Sequence, residues 1–502
     1  MIFRLSELLL DYPCTVSVGV DADSDPTINS IEYDSRGVSN NTLFFCMTGA
    51  TRDGHSYASA AYDAGCRAFI VEHTVELPRD DAVQVIVQNS RAALAVISRR
   101  FYDDPSKELT LIGVTGTKGK TTTSLLIKEI LCNNGIKCGY IGTNGVQYLG
   151  RFYETVNSTP ESRELQRHFR DMVSCGVTHV VMEVSSQALL PRTHRVDGLH
   201  FDTVVFTNLG RDHIGPTEHS SVEEYRDTKK RLFTDFGAKN IVWNADDPHG
   251  TYMVGDSDGR LISYAVQGEA DYRGDGLVPY RDETSLGIDI NVIHKGVRTN
   301  VRLRTPGTFS MYNGLAAIAV CSCYDISVAR CAQTLRKISV NGRFEIVDAV
   351  PGVTFLIDYA HNGYSLTNAL RELRAYSPKR LICLFGSVGG RTQERRRELA
   401  EASSKYADYS IITSDNPNFE EPESIIRDIV NALTPNALYV TVADRAEAIR
   451  FAVHIAREGD IVLLAGKGHE TYQLINGEKV PFSERNVILD EASHMHESVP
   501  MV

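Results

Sequence analysis

The 502-residue chain is too long for one hydrophobic core and predicts about three domains. Its 42% apolar and 23% charged residues are those of an ordinary globular protein, and a formal net charge of −12 argues against non-specific nucleic-acid binding. The ten cysteines are scattered, and the one close pair, Cys321 and Cys323, lacks zinc-site spacing. MIFRLSELLLDY makes no signal peptide, and no apolar run is long enough for a membrane span, so a cytoplasmic protein with reduced thiols is expected.

In chain order, residues 1–105 read as a small α/β domain. IEYDSRGVSNNTLFFCMTGATRDGHSY alternates apolar stretches with turns, and YASAAYDAGCRAFIV reads as helix then strand. The second segment, 106–335, opens on LTLIGV (Leu109 to Val114), apolar and partly β-branched like a buried parallel strand. GVTGTKGKTTTS (Gly113 to Ser124) follows and leads into helical spacing from Thr121 to Leu131. Strand, glycine loop and helix in that order form a phosphate-binding loop. Backbone N–H groups of Gly116, Thr117, Lys118 and Gly119 would face an anion, Lys120 would reach the terminal phosphates, and the Thr121 hydroxyl would ligate Mg²⁺, with Thr122 beside it. The usual spacing wants glycine where Val114 stands, which leaves the shorter GTKGKT. A nucleoside triphosphate is the expected ligand.

HVVMEVSSQAL (His179 to Leu189) and FDTVVFTNLGRDH (Phe201 to His213) read as buried strands running into polar turns. They deliver Glu183 and His213 to strand C-terminal ends, where open α/β sheets bind ligands. Glu183 suits Mg²⁺, which prefers hard oxygens. Lys229, four residues after Tyr225, reads on spacing alone as a solvated helix charge. Residues 251–304 suggest a β appendage, after which TPGTFSMYNGLAAIAVCSCY enters an apolar helix with Asn313 at its start. The third segment, 336–502, carries five apolar strands in a second open α/β sheet: VTFLIDYAH, RLICLFG, YSIITSDNP, ALYVTV and DIVLLAGKG. Polar clusters follow them at Asp358 and His361, Gly389-Gly390-Arg391, Asp415-Asn416-Pro417 and Gly466 to Glu470. The last dozen residues read as a loose tail.

GTKGKTTTS, NSTPES, MEVSSQAL, FTNLGRDH, NADDP, GRFE, IDYAHNGYSL, SDNPN and AGKGHETYQ together resemble the Mur ligase family, and within it the MurE branch, over nearly the whole chain. The resemblance implies an N-terminal UDP-binding domain (1–105), a central ATP-binding domain (106–335) and a C-terminal Rossmann-like domain (336–502) that binds an amino acid. It implies that ATP phosphorylates the D-Glu side-chain carboxylate of UDP-MurNAc-L-Ala-D-Glu. An incoming amine then displaces phosphate through a tetrahedral intermediate, giving an amide in peptidoglycan precursor synthesis. By match to the family, Thr121 and Glu183 hold one Mg²⁺, His213 helps hold a second, and Lys229 is the lysine that these ligases carbamylate into an anionic metal ligand. Asn313, Arg343 and Asp358 match ATP contacts. Tyr33, Ser35 and Ala50, Thr51 and Arg52 match uridine contacts, and Asn157, Ser158, Thr159, Ser185 and Arg195 match those around the pyrophosphate and muramoyl-dipeptide. Gln187 after the serines, Gly215 after DHI and Ser310 depart from the family pattern. Family members are mostly monomers, and monomeric behaviour is expected.

The resemblance also locates the amino-acid pocket at Arg391, Asp415, Asn416, Pro417, Asn418, Gly466 and Glu470. Members that take meso-diaminopimelate usually read DNPR where this chain has DNPN, and neutral Asn418 cannot make the bidentate carboxylate pair of an arginine. With Asp415 and Glu470 nearby, the expectation is a side chain ending in a bare ammonium, L-lysine first, with meso-diaminopimelate the alternative because Arg391 remains. Beside this reading stand a related ligase that amidates or extends another acidic polymer, and two further rivals. One is another enzyme of the same fold, against which DSR, DGH, SDNP and GKGHE argue. The other is a nucleotide-binding scaffold without turnover, which should have lost Lys120, Glu183, His213 or Lys229.

Overall fold

The computed structural model describes residues 1–18, 25–49, 52–210, 215, 218–282 and 285–497. His213, Ala50 and Thr51 lie outside the described residues. The chain divides into two compact units, Met1–Asp271 with Ala316–Asp325, and Tyr272–Leu315 with Ile326–Val502.

Among its described residues the first unit holds two large sheets, besides a two-stranded pairing of Phe3–Arg4 with Thr27–Ile28. Thr15–Val18, Val83–Ile86, Ala68–Val71, Thr42–Phe45 and Ser30–Glu32 are adjacent in that order, parallel except at the first pairing. In the second sheet Thr110–Thr115 lies between His179–Glu183 and Phe201–Phe206, all parallel, with Cys138–Gly142 outside the former and Asn240–Asn244, then Arg260–Ala265, outside the latter. A strand buried on both faces needs continuous apolar sequence, which TLIGVT supplies. Register sets Glu183 opposite Val114 and Phe206 opposite Thr115, so three strand ends finish level around the glycine loop. Arg260–Ala265 belongs to this parallel sheet; the β appendage begins only at Tyr272.

In the second unit Tyr272–Arg281, Leu286–His294 and Val297–Leu303 form an antiparallel meander. The expected five strands are all present and parallel, in the order Thr354–Asp358, Ile461–Ala465, Leu381–Phe385, Tyr409–Ile412, Tyr439–Thr441. A sixth, Glu345–Val347, pairs antiparallel at the edge. Helices Gly363–Arg374, Gln393–Tyr406 and Pro422–Asn431 bury Leu366, Leu399 and Ile425 on one face, and Arg445–Ile455 and Glu484–Glu497 bury Ile449 and Ile488 on the other. The expected loose tail is corrected here: the last helix runs to Glu497, with Ala492 at 4% exposure against the sheet. Asn313 is likewise the sixth residue of helix Thr308–Ser322 rather than its first.

Candidate active site

The loop after Thr115 is shaped by what its glycines lack. Gly116 has φ of +147°, and a Cβ there would stand 1.9 Å from the Thr207 hydroxyl oxygen; Gly119, φ +87°, caps helix Lys120–Asn133. Asn208, which the sequence reading passed over inside TNLGRD, clamps the loop. Its amide oxygen accepts from Lys118 N (3.0 Å), its amide nitrogen donates to Lys118 O (2.9 Å), and its carbonyl accepts from Thr117 N (2.8 Å). Thr207 Oγ1 donates to Lys118 O at 2.7 Å. Lys120 Nζ donates to Gly116 O (2.8 Å) and Thr117 O (3.2 Å), and Thr121 is buried in the first helical turn.

Lys229 overturns the solvated-charge reading. On helix Val222–Thr234 it is 1% exposed, its Nζ donates to Gly116 O at 3.1 Å and lies 4.6 Å from the Tyr225 ring centroid. Two lysine ammonium groups therefore share one carbonyl oxygen. Glu183 is fully buried. Its Oε1 accepts from Tyr140 Oη (2.6 Å) and Thr143 N (2.9 Å), and its Oε2 accepts from Thr143 Oγ1 (3.0 Å). Gly142 permits this, since a Cβ would meet Tyr140 Oη at 2.2 Å and Glu183 Oε1 at 2.4 Å. A carboxylate accepts about four bonds, so Oε2 keeps a lone pair. That hard oxygen and the Thr121 hydroxyl fit Mg²⁺.

In the same unit, Thr159 Oγ1 donates to Glu183 O (2.9 Å) and accepts from Ser185 N (3.0 Å), while Arg195 pairs with Glu161 (2.8 Å) and reaches Thr159 O (3.3 Å). Asn157 is exposed and Ser158 half-buried. Tyr33 Oη donates to Glu164 at 2.9 Å; burial first, then the Glu164 charge and this bond, push the phenol's pKa far up. Ser35 opens the turn Ser35–Gly37, and Arg52 is exposed.

Asn313, Arg343 and Asp358 belong to the second unit. Asp358 is 7% exposed and accepts from Phe344 N (2.9 Å); burial pushes its carboxyl up, opposed by the Arg343 charge. The amino-acid cluster also lies there. Arg391 is exposed after Gly389-Gly390. Asn418, φ +52°, uses its side-chain oxygen to accept from Gly477 N at 2.8 Å, so it holds the hairpin Tyr472–Ile475/Glu478–Pro481. Lys467, unremarked in the sequence, is fully buried. Its Nζ donates to Glu470 Oε2 (3.0 Å) and Asn416 Oδ1 (2.9 Å) and lies 3.6 Å from Asp415 Oδ1. The two acids expected to receive a substrate ammonium thus already face one. Beneath them buried Arg445 pairs with Glu484 (2.8 Å) and donates to Ser414 O and Ala465 O (2.9 Å each), tying together the strand ends from which both loops spring.

Three family models match, one within each expected segment: Mur ligase family, catalytic domain, over 27–102; Mur ligase middle domain over 114–321; and Mur ligase, glutamate ligase domain, over 342–468. A UDP-N-acetylmuramoyl-L-alanyl-D-glutamate–2,6-diaminopimelate ligase of Geobacillus thermodenitrificans is 39% identical over 477 residues, covering 93% of this chain and 95% of that protein. The chain belongs to the Mur ligase family. A protein of the same name from Caldanaerobacter subterraneus is 38% identical over 483 residues, 96% of this chain and 98% of its own. A solved structure, also described as that ligase, is 28% identical with a TM-score of 0.68, covering 99% of this chain and all of its own. The chain is accordingly an ATP-dependent amide-forming ligase with the α/β architecture of that family, and the scaffold reading falls away. Among the described residues no helix is long and apolar enough to cross a membrane, and none of the ten cysteines is in a disulfide.

Proposed function

We propose that this ligase joins meso-diaminopimelate to UDP-MurNAc-L-Ala-D-Glu, in the cytoplasm, for peptidoglycan precursor synthesis. The observation that carries the reading is the diaminopimelate in the names of relatives 38–39% identical over more than nine-tenths of the chain. The expectation of L-lysine is withdrawn: it rested on Asn418 standing where an arginine is usual and on Asp415 and Glu470 as acids open to an ammonium, and Lys467 already pairs with both acids.

The loop N–H groups and Lys120 hold the ATP phosphates, with Lys120 leaving Gly116 O as the anion arrives. Thr121 and Glu183 would hold Mg²⁺, which when bound neutralises charge on the transferring phosphoryl group. Lys229 shares a carbonyl with Lys120, and carbamylation (amine plus CO₂ giving carbamate and a proton) would turn its ammonium into an anionic oxygen ligand. Asn208 and Thr207 keep the loop rigid, so positioning supplies much of the rate. The Thr159–Ser185 pair and Arg195 seat the pyrophosphate and dipeptide, and Arg391 reads a carboxylate of the incoming amino acid. The D-Glu carboxylate oxygen attacks the terminal phosphorus, ADP leaves, and the amine then expels phosphate from the acyl carbon.

Phosphate release by purified protein with ATP, Mg²⁺ and UDP-MurNAc-L-Ala-D-Glu tests this. Turnover is expected with meso-diaminopimelate and at most weakly with L-lysine or L-ornithine. Turnover that depends on L-lysine would overturn the choice of amino acid, and none with any would overturn the substrate assignment.

A further inference from the structure

Resting on the proposed amino-acid pocket, we infer that Lys467 is a specificity-determining residue: an internal counter-ion shared by Asp415 and Glu470 that offsets one of their two charges, so that the pocket holds a side chain ending in a lone cation less well than one ending in a zwitterion. Its Nζ has three donors, and two are spent at hydrogen-bond distance on Glu470 Oε2 (3.0 Å) and Asn416 Oδ1 (2.9 Å) while the ammonium sits 3.6 Å from Asp415 Oδ1. Asn416 closes the ring by donating from Nδ2 to the same Glu470 oxygen (2.9 Å) and accepting from Leu474 N (3.0 Å), which fixes the way its amide faces. Lys467 is 0% exposed and Asp415 2%, so water screens little of the charge in this ring.

A bare ammonium entering beside this ring gives up its hydration and finds acids already paired, so its desolvation is not repaid. A terminus carrying both ammonium and carboxylate adds no net charge and can bond Glu470 with one group and Arg391 with the other. Specificity then comes from a repulsive element inside the pocket as much as from an attractive one.

The test is the ratio of kcat/KM for L-lysine to that for meso-diaminopimelate. In Lys467→Gln the ratio should move toward L-lysine by about tenfold or more. In the double variant Lys467→Gln/Asp415→Asn, which removes one charge of each sign and keeps Glu470, it should return to within about threefold of wild type. A ratio unchanged in Lys467→Gln, with both substrates losing rate together, would show a purely structural lysine and overturn the inference while leaving the function standing. Wild-type protein that turns over neither substrate overturns both. If melting shows Lys467→Gln unfolded, inhibition of wild-type diaminopimelate turnover by L-lysine and L-norleucine decides. Acids already paired with Lys467 keep the two inhibitors equal within about threefold, and L-lysine stronger by about tenfold contradicts it.

Discussion

The phosphate loop and the amino-acid loops both spring from the C-terminal ends of parallel strands, yet they are held in opposite ways. Gly116 to Lys120 is held by neutral groups, chiefly the Asn208 amide and the Thr207 hydroxyl on the Lys118 peptide, with cations turned onto its carbonyls. The loops at Asp415 and Gly466 are held by buried charges of both signs, Lys467 among acids and Arg445 against Glu484. A loop proposed to receive a polyanion turns its backbone N–H groups and lysines toward one place, whereas the loops proposed to choose among amino acids carry their charges already paired.

Breaking the cationic side of this contrast should have the largest effect. Lys229→Ala should abolish turnover, a loss of about 10³-fold or more in kcat that added bicarbonate does not restore, with the melting temperature nearly unchanged. Activity near wild type would remove Lys229 from the chemistry. Breaking the balanced side should act on stability first. Arg445→Ala leaves Glu484 buried and unpaired and should lower unfolding free energy by about 3 kcal/mol, while Arg445→Met/Glu484→Met recovers most of it. Denaturant titration of both variants reads the difference. Asn208→Ala should weaken ATP binding by roughly tenfold to thirtyfold through two lost neutral hydrogen bonds, worth about 2 kcal/mol, while the lysine-to-diaminopimelate ratio stays put.

The smallest effect is of acid. Burial and the charges of Arg167 and Arg163 hold the His168 imidazole down at about 4, so the folded first unit keeps it neutral where the unfolded chain protonates it. Stability should therefore fall as pH drops from 6.5 toward 4, by roughly 1–2 kcal/mol, and His168→Gln should flatten the loss. Glu484 has the opposite sign: burial raises its carboxyl despite Arg445, so the folded second unit takes that proton before the unfolded chain does. Hydrogen exchange between pH 6.5 and 4 should show peptides from Ser162–Ser174 losing protection while those from Glu484–Glu497 keep theirs.

How much of this was legible in the sequence follows from the range of the forces involved. The glycine loop and the strands that carry it are local: apolar runs, turn glycines and helical spacing sit side by side, and the expected sheets appeared with them. Lys229 was not legible from spacing, because its burial depends on Gly116 O, a partner 113 residues away; only the family resemblance pointed to it. Asn208 looked like part of a connecting turn, and Lys467 was hidden inside a glycine-rich string, where a lysine reads as a surface charge. Asp415 and Glu470 read as free acids for the same reason, which with neutral Asn418 gave the expectation of L-lysine. Glu345–Val347 is too short to show a period of two. The final helix, by contrast, offered Ile488, Ala492 and Met495 at helical spacing and was readable.

One competition assay tests the central claim most directly. Equal concentrations of meso-diaminopimelate and L-lysine, with ATP, Mg²⁺ and UDP-MurNAc-L-Ala-D-Glu, are given to the wild-type protein, and the nucleotide products are weighed by mass spectrometry. The account predicts that nearly all product carries the mass of the diaminopimelate adduct. A product dominated by the lysine adduct would contradict it.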